Sequence, residues 1–324
     1  MIDKYIAYIR DVRRYSPRTQ TLYEEALKDF ALWAETPDQV GGDGLTGHLI
    51  PSRIREYEAH LIERGLKPRT VHLHMSALSG YCGFLMKEGV LQGNPVRGIR
   101  RPKMEKRLPE FYREKSMEEY FQETAHAAGQ EELTLLQSLR PGEKLAVELY
   151  RRRLSRLIIS ILFGTGVRRA ELIALRMDSV DSARQTLRVR GKGDKMREIP
   201  LIPSLLQEIS LYLQAASWTV GERPAHAPLL VTEKGRPLYP EYVDRTVKAE
   251  LDGYGITGRK SPHVLRHSLA TALLQEGADL NAIKEMLGHA NLAATEVYTH
   301  NSVERLKAQY MNAHPRALKE DKHD

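Results

Sequence analysis

Six polar residues in the second half of the chain carry the chemistry the sequence has to offer. Arg168 sits in "TGVRRAEL" (165–172) and Lys192 in "RGKGDK" (190–195). His263 and Arg266 share "HVLRHSLAT" (263–271), and His289 and Tyr298 share "LGHANLAATEVYTH" (287–300). Each has an ordinary reading on its own. An arginine near a helix start is usually at the surface, and a lysine in a turn is usually solvated. A histidine just past a helix-ending glycine suits the negative end of the helix dipole, and a tyrosine on a short helix is usually packed. Together they fit one of two reactions. A metal hydrolase would use His263 and His267, whose i, i+4 spacing is that of a helical zinc pair. Against it, residue 264 is Val where that motif has glutamate, no third ligand is apparent, and Arg266 would repel a cation. Metal-free phosphoryl transfer needs what is present. Arginines and histidines can hold the non-bridging oxygens as these gain charge, and arginine can bond two of them at once. A tyrosine hydroxyl suits a covalent route, because a phosphotyrosyl ester conserves the energy of the bond it replaces. Lys192 in a turn is a proton donor for the leaving oxygen.

The elements that must position these groups follow from periodicity and punctuation. "FGTGVRRAELIALR" ends a long helix near 142–163, turns at Gly164 and Gly166, and opens the next helix at Arg168. "QTLRVRGKGDKMREIPL" (185–201) reads as a β-hairpin with Lys192 in its tip, because Leu187 and Val189 alternate with polar residues and "GKGD" is a turn. Ser261 and Pro262 read as N-cap and N1 of a helix over 262–275, which puts His263 and Arg266 on one face at i, i+3. Helices are expected near 203–215, 240–251, 280–287 and 292–298, with Gly277 and Gly288 as stops and Asp279 as an N-cap. Ser116 is read as the cap of an earlier helix, "SMEEYFQETAHAA".

Upstream the chain reads as a separate helical domain. Ser16 caps a helix carrying Tyr23, Ala26, Leu27, Phe30 and Trp33, "GGDG" (41–44) is a loop, and helices over about 52–64 and 68–88 stop at Gly65 and Gly89. The Val71, Met75, Leu78, Cys82 and Leu85 stripe is read as core packing. "GNPVRGIRRPKMEKRLPEF" (93–111) is a proline-interrupted basic linker, solvated or lying along phosphates. The layout expected is therefore a helical domain over 1–92, the linker 93–111, a second domain over 112–300 and a C-terminal segment 301–324 that frays at its end.

Length and composition set limits. At 324 residues there is room for about two domains, and the fold class expected is mainly α with a small β-hairpin or sheet. "LIISILF" (157–163) is far short of the ~20 apolar residues of a bilayer span, and the first residues lack a signal-peptide pattern, so a cytosolic chain is expected. Cys82 is the only cysteine, which excludes an intrachain disulfide and a cysteine-rich zinc site. Residues 1–107 hold 18 of the 49 lysines and arginines and 13 of the 42 acidic residues, so they carry +5 of the net +7. A basic domain favours a polyanionic partner.

In order and local context, "TGVRRAEL", "RGKGDK", "HVLRHSLAT" and "LGHANLAATEVYTH" resemble the active-site set of the tyrosine recombinase/phage integrase family. "SPRTQTLYEEALKDFALW" and "NPVRGIRRPK" resemble its core-binding domain, and "YTHNSVERLKAQYMNAHPRA" (298–317) resembles the end of the Xer recombinases. The resemblance implies two domains clamped on duplex DNA, the second a mixed α/β catalytic domain. It implies Tyr298 as nucleophile, forming a 3′-phosphotyrosyl link, with Arg168 and Arg266 on the scissile phosphate and Lys192 as general acid. His263 is then proton acceptor or phosphate ligand, His289 a hydrogen-bond donor to the phosphate, and Glu171 a positioning partner, while His267 has no assigned role. It implies no ATP and no metal, and a tetramer on two duplexes or a paired second recombinase. Chromosome dimer resolution is the favoured role, with integration or excision of a mobile element next. A topoisomerase that only relaxes DNA and a non-catalytic DNA-binding regulator are the other readings. The stretch 123–150 is longer than expected for a compact Xer protein. Val303, Leu306 and Tyr310 are expected to dock on a neighbouring protomer.

Overall fold

A computed structural model of the chain describes residues 1–34, 44–103, 111–191, 195–255 and 260–288, together with 310, 313, 314 and 316. The chain forms two compact units, Met1–Leu108 and Pro109–Asp324, each with its own core. Among the described residues no helix is long and apolar enough to cross a membrane.

The first unit is helical: α1 (Ile2–Asp11), α2 (Pro17–Ala34), α3 (Pro51–Glu63) and α4 (Pro68–Lys87). Three of these begin with proline at N1, where its missing N–H costs nothing, and Ser16 caps α2 by accepting from the Thr19 N–H at 3.2 Å. The α4 stripe packs as core, and Cys82 is sealed within it, its thiol pushed up to about 12 by burial. Helix α1 was not among the expected elements. Its Tyr5 and Ile9, at i and i+4, join the core of this unit, with the Tyr5 ring against Tyr81 and Phe84 of α4. The linker reading also needs correction at 93–103. Val96 and Ile99 join the core of this unit, and the Asn94 side chain donates to the Ser79 carbonyl. The prolines suppress regular structure there, Val96 and Ile99 anchor the stretch, and Arg97, Arg100 and Lys103 stay exposed. Residues 104–110 lie outside the described residues, as does most of the "GGDG" loop.

The second unit is built around α8 (Lys144–Thr165). Its last nine residues are all buried, as expected of a helix enclosed on every side. Before it come α5 (Glu114–Glu123), α6 (Ala125–Ala128) and α7 (Gln130–Ser138). The segment 123–150 is therefore part of the fold. Ala127, Leu133 and Leu136 enter the core, and the Arg153 guanidinium on α8 donates to the Gly129 carbonyl at 2.7 Å. Helix α5 starts at Glu114 with Arg113 in the cap position, so Ser116 is not its cap. After α8 come α9 (Arg169–Ala174) and three antiparallel strands in the order β1 (Val180–Asp181), β2 (Thr186–Arg190), β3 (Met196–Pro200). The hairpin is where it was expected, with Leu187 opposite Ile199 and Val189 opposite Arg197.

Helices α10 (Pro203–Val220), α11 (Pro240–Glu250), α12 (Pro262–Gln275) and α13 (Leu280–Leu287) complete the unit. Asp279 caps α13 by accepting from Asn281 and Ala282. Ser261 occupies the N-cap position of α12 but its side chain makes no capping bond. The expectation that Tyr310 docks on a second protomer is not met. Tyr310 and Ala313 join the core of their own unit, and the Tyr310 hydroxyl donates to the Gly164 carbonyl. Val303, Leu306 and the helix expected over 292–298 lie outside the described residues.

Candidate active site

Of the six residues singled out, Arg168, His263 and Arg266 fall among the described residues, and Lys192, His289 and Tyr298 do not. The site is best built from helix ends. Helix α8 stops at Gly166, which takes a left-handed conformation (φ +62°). That conformation strains any other residue, and a Cβ there would also press on Leu287 Cδ2 at 2.5 Å and Leu269 Cδ2 at 3.1 Å. Two residues on, Arg168 is the N-cap of α9. Glu171, at the N3 position, reaches back to the Arg168 backbone N–H at 2.8 Å, the carboxylate half of a capping box. Its other oxygen accepts from Arg168 Nη1 at 2.7 Å.

Helix α13 brings its C-terminus to the same place. The last carbonyls of a helix have no partner within it and carry its negative dipole end. Here three consecutive carbonyls are each taken by a different arginine. Arg197 Nε donates to Met286 O at 2.9 Å, Arg266 Nη2 donates to Leu287 O, and Arg168 Nη2 donates to Gly288 O at 2.9 Å. Arg266 Nη1 also donates to Gly166 O at 2.5 Å, tying the end of α8 to the end of α13. Arg168 and Arg266, which lie 98 positions apart, are thus held on adjacent peptide groups.

Charge in this cluster is unbalanced. Among the described residues, the only carboxylate hydrogen-bonded to any of the three guanidinium groups is Glu171. Burial pushes the Glu171 carboxyl up. The hydrogen bond from Arg197, the Arg168 backbone N–H and the neighbouring guanidinium charges more than offset that, and hold it below the usual carboxylate range. Arg266 is 8 % exposed, and burial together with repulsion from Arg168 draws it down to about 10, still charged at neutral pH. Arg168 and Arg266 each use two of their five N–H groups on described atoms. The remaining donors and the surplus positive charge suit an anion with several oxygens, such as a phosphodiester.

His263 lies in the first turn of α12 and is exposed, one turn before the buried Arg266. His267 is also exposed, with its ring edge-on to Phe111 at 6.4 Å between centroids, in keeping with a packing role. Among the described residues no group of three metal-ligating side chains occurs. Lys195 is exposed, and its carbonyl accepts from the Gly191 N–H at 2.8 Å across the mouth of the hairpin tip. Arg197 belongs to the cluster too, although the sequence reading did not single it out. The signal was the strand alternation. Ile199 and Leu201 point inward, so residue 197 must also, and an arginine on a core face needs buried partners.

Residues 144–305 match the Phage integrase family, and residues 2–89 match the Phage integrase, N-terminal SAM-like domain. The chain belongs to the phage integrase family. It is a tyrosine recombinase, and Xer proteins are relatives along nearly its whole length. The tyrosine recombinase XerC of Chlorobaculum parvum is 32% identical over 98% of this chain and 94% of its own length. That of Bacillus subtilis is 30% identical over 98% and 97%. Among solved structures, the fold matches XerH site-specific recombinase bound to a palindromic difH substrate in a post-cleavage complex. The TM-score is 0.64 at 20% identity, covering 95% of this chain and 83% of that one. It also matches the Tn1549 transposon integrase in complex with circular intermediate DNA, with a TM-score of 0.62 at 18% identity, covering 94% and 97%.

Proposed function

We propose that the chain recombines duplex DNA at specific sites in an Xer-like role, with chromosome dimer resolution as its programme. In the reaction proposed, the Tyr298 hydroxyl oxygen attacks the scissile phosphorus and its proton passes to His263 or to water. The P–O5′ bond breaks, its electron pair leaves on O5′, and Lys192 supplies the proton that makes the 5′-hydroxyl. Arg168 and Arg266 hold the non-bridging oxygens, with His289 as a further donor, and the reverse sequence joins the strand of a second duplex. The family's tetramer on two duplexes, or a paired second recombinase, is the assembly this needs, and the cytoplasm is where the DNA would be met. The helical domain over 1–92 and the catalytic domain over 112–300 would each contact the duplex.

The observation that carries this reading is the arrangement of Arg168 and Arg266 on neighbouring carbonyls of one helix end, with positive charge in excess and donors to spare. Electrostatic stabilisation of this kind acts only when it is built before the reaction begins. The test is to incubate the full chain with a random-sequence duplex library in EDTA and isolate DNA that becomes covalently attached. The expected result is a discrete set of sites joined through their 3′ ends, absent with Tyr298→Phe. Adducts that persist with Tyr298→Phe would remove the assigned nucleophile. Relaxation of supercoils without joining of two different duplexes would leave a topoisomerase, and DNA binding without adduct would leave a regulator.

A further inference from the structure

We infer that Arg197 is a positioning residue for strand cleavage: a buried guanidinium that, through Glu171 and the end of α13, sets the angle at which Arg168 meets the scissile phosphate. This rests on the catalytic reading above. Arg197 is 7 % exposed and all three of its guanidinium nitrogens donate to protein atoms, so it supports the phosphate ligands and is not counted among them. A charge on the core face of a strand costs free energy unless its hydrogen bonds are made. Those of Arg197 are made to the parts of the site that have to agree with one another. Nη1 and Nη2 grip both oxygens of Glu171, at 3.1 and 2.7 Å, in the bidentate form that fixes a carboxylate's plane. Nε holds Met286 O at 2.9 Å.

Glu171 in turn makes two bonds to Arg168, one to the guanidinium and one to the backbone N–H. Without Arg197 the carboxylate keeps only its bonds to Arg168 itself and loses the fork that holds its plane from the strand side, so Arg168 loses an independent reference. Two glycines are fitted against the same guanidinium. A Cβ at Gly191 would lie 3.2 Å from Arg197 Nη1, and one at Gly288 would lie 3.3 Å from its Cζ. These glycines immediately precede Lys192 and His289 in the chain. Arg197 therefore sits where the hairpin, the start of α9 and the end of α13 meet.

The experiment compares charged and neutral phosphorus. A duplex captured as above is remade with either the natural phosphate or a neutral methylphosphonate at the scissile position. The second is neutral and keeps one non-bridging oxygen, so it makes a smaller demand on Arg168 as charge develops. Adduct formation is timed for the full chain, for Arg197→Met, Arg197→Lys, Arg168→Met and the double variant, alongside thermal melts and gel shifts. On phosphate, Arg197→Met is expected to be about 100-fold slower than the parent, the scale of a misplaced catalytic group, with DNA binding unchanged. On methylphosphonate it should come within about twofold of the parent, the scatter of uncoupled changes. Arg197→Lys, which keeps the charge but not the fork, should fall between, and the double variant should be no slower than Arg168→Met alone. Equal slowing on both substrates, a parent-like rate on phosphate, or additive losses in the double variant would overturn the inference. If Arg197→Met fails to fold, Arg197→Lys and Glu171→Gln are read for the same substrate ratio. An adduct that never forms with the parent, or that survives Tyr298→Phe, would count against the catalytic reading and not against Arg197.

Discussion

The second unit contains two buried carboxylates surrounded by arginines, and they are built to opposite ends. At Glu208, on α10, Arg156 of α8 and Arg316 from the C-terminal residues donate at 3.2 and 2.7 Å. Burial pushes the Glu208 carboxyl up, and Arg316 and Arg156 more than offset it. Arg316 lies over the Phe121 ring at 4.2 Å, and Arg156 also bonds the Phe121 carbonyl. The polar atoms left over, Arg156 Nε, Arg316 Nη1 and Glu208 Oε2, are buried without a partner among the described residues. At Glu171 there are three arginines, the leftover cation donors are not sealed in this way, and the Arg168 side chain is 35% exposed. The first cluster is closed around itself and ties the C-terminal residues down. The second leaves positive charge where a ligand can reach it. Cations outnumber the carboxylate in both, so what makes the second a site is the edge that stays open.

Substitutions can separate the two. Arg168→Met should slow covalent adduct formation about 1000-fold, as loss of an oxyanion donor does, while the melting temperature stays close to the parent's. Arg156→Met should do the reverse. It leaves Glu208 buried with one partner fewer and should cost about 3 kcal/mol of stability, read by denaturant unfolding, with the adduct rate of the folded protein unchanged. Parallel loss of rate and stability in both variants would dissolve the distinction.

Acid should probe the closed cluster's neighbour, His314. It is fully buried beside Tyr310 and Phe163, and burial with the Arg316 charge holds it at about 3. Its ordinary value is 6.5. Between these values the unfolded chain carries the proton and the folded chain does not, so stability falls as pH drops from 6.5 towards 3. The slope is about 1.4 kcal/mol per pH unit at most. His314→Phe should flatten that limb in a series of unfolding curves, and an unchanged slope would assign it to other groups. The smallest effect is expected from Tyr310→Phe. It removes one hydrogen bond to Gly164 and should cost about 1 kcal/mol, a fall in melting temperature of about 2–4 °C.

The helices were legible because their signals are local. Prolines at 17, 51, 68, 203, 240 and 262 open helices, and glycines at 65, 89, 166, 277 and 288 follow their ends, so sequence alone located most boundaries within a few residues. Ser116 and Ser261 show the limit of that reading. Residue type marks a capable cap, but the bond depends on where the helix begins and how the side chain turns. Arg168 and Arg266 were found because their surroundings match a known pattern, and no spacing in the chain says that both rest on the end of α13. Arg197 was missed for the same reason, since its bonds go to Glu171 and Met286, which are remote in sequence. The burial of Tyr310 depends on the end of α8, where its hydroxyl meets the Gly164 carbonyl, and periodicity in the tail cannot reveal that.

Cys82 has a practical consequence of its own. As the lone thiol, sealed in the first unit and held far from its reactive form, it will react with an alkylating reagent only when that unit opens. Labelling rate is therefore a built-in clock for opening of the helical half. It can be followed in the intact chain, with or without DNA, and needs no engineered reporter.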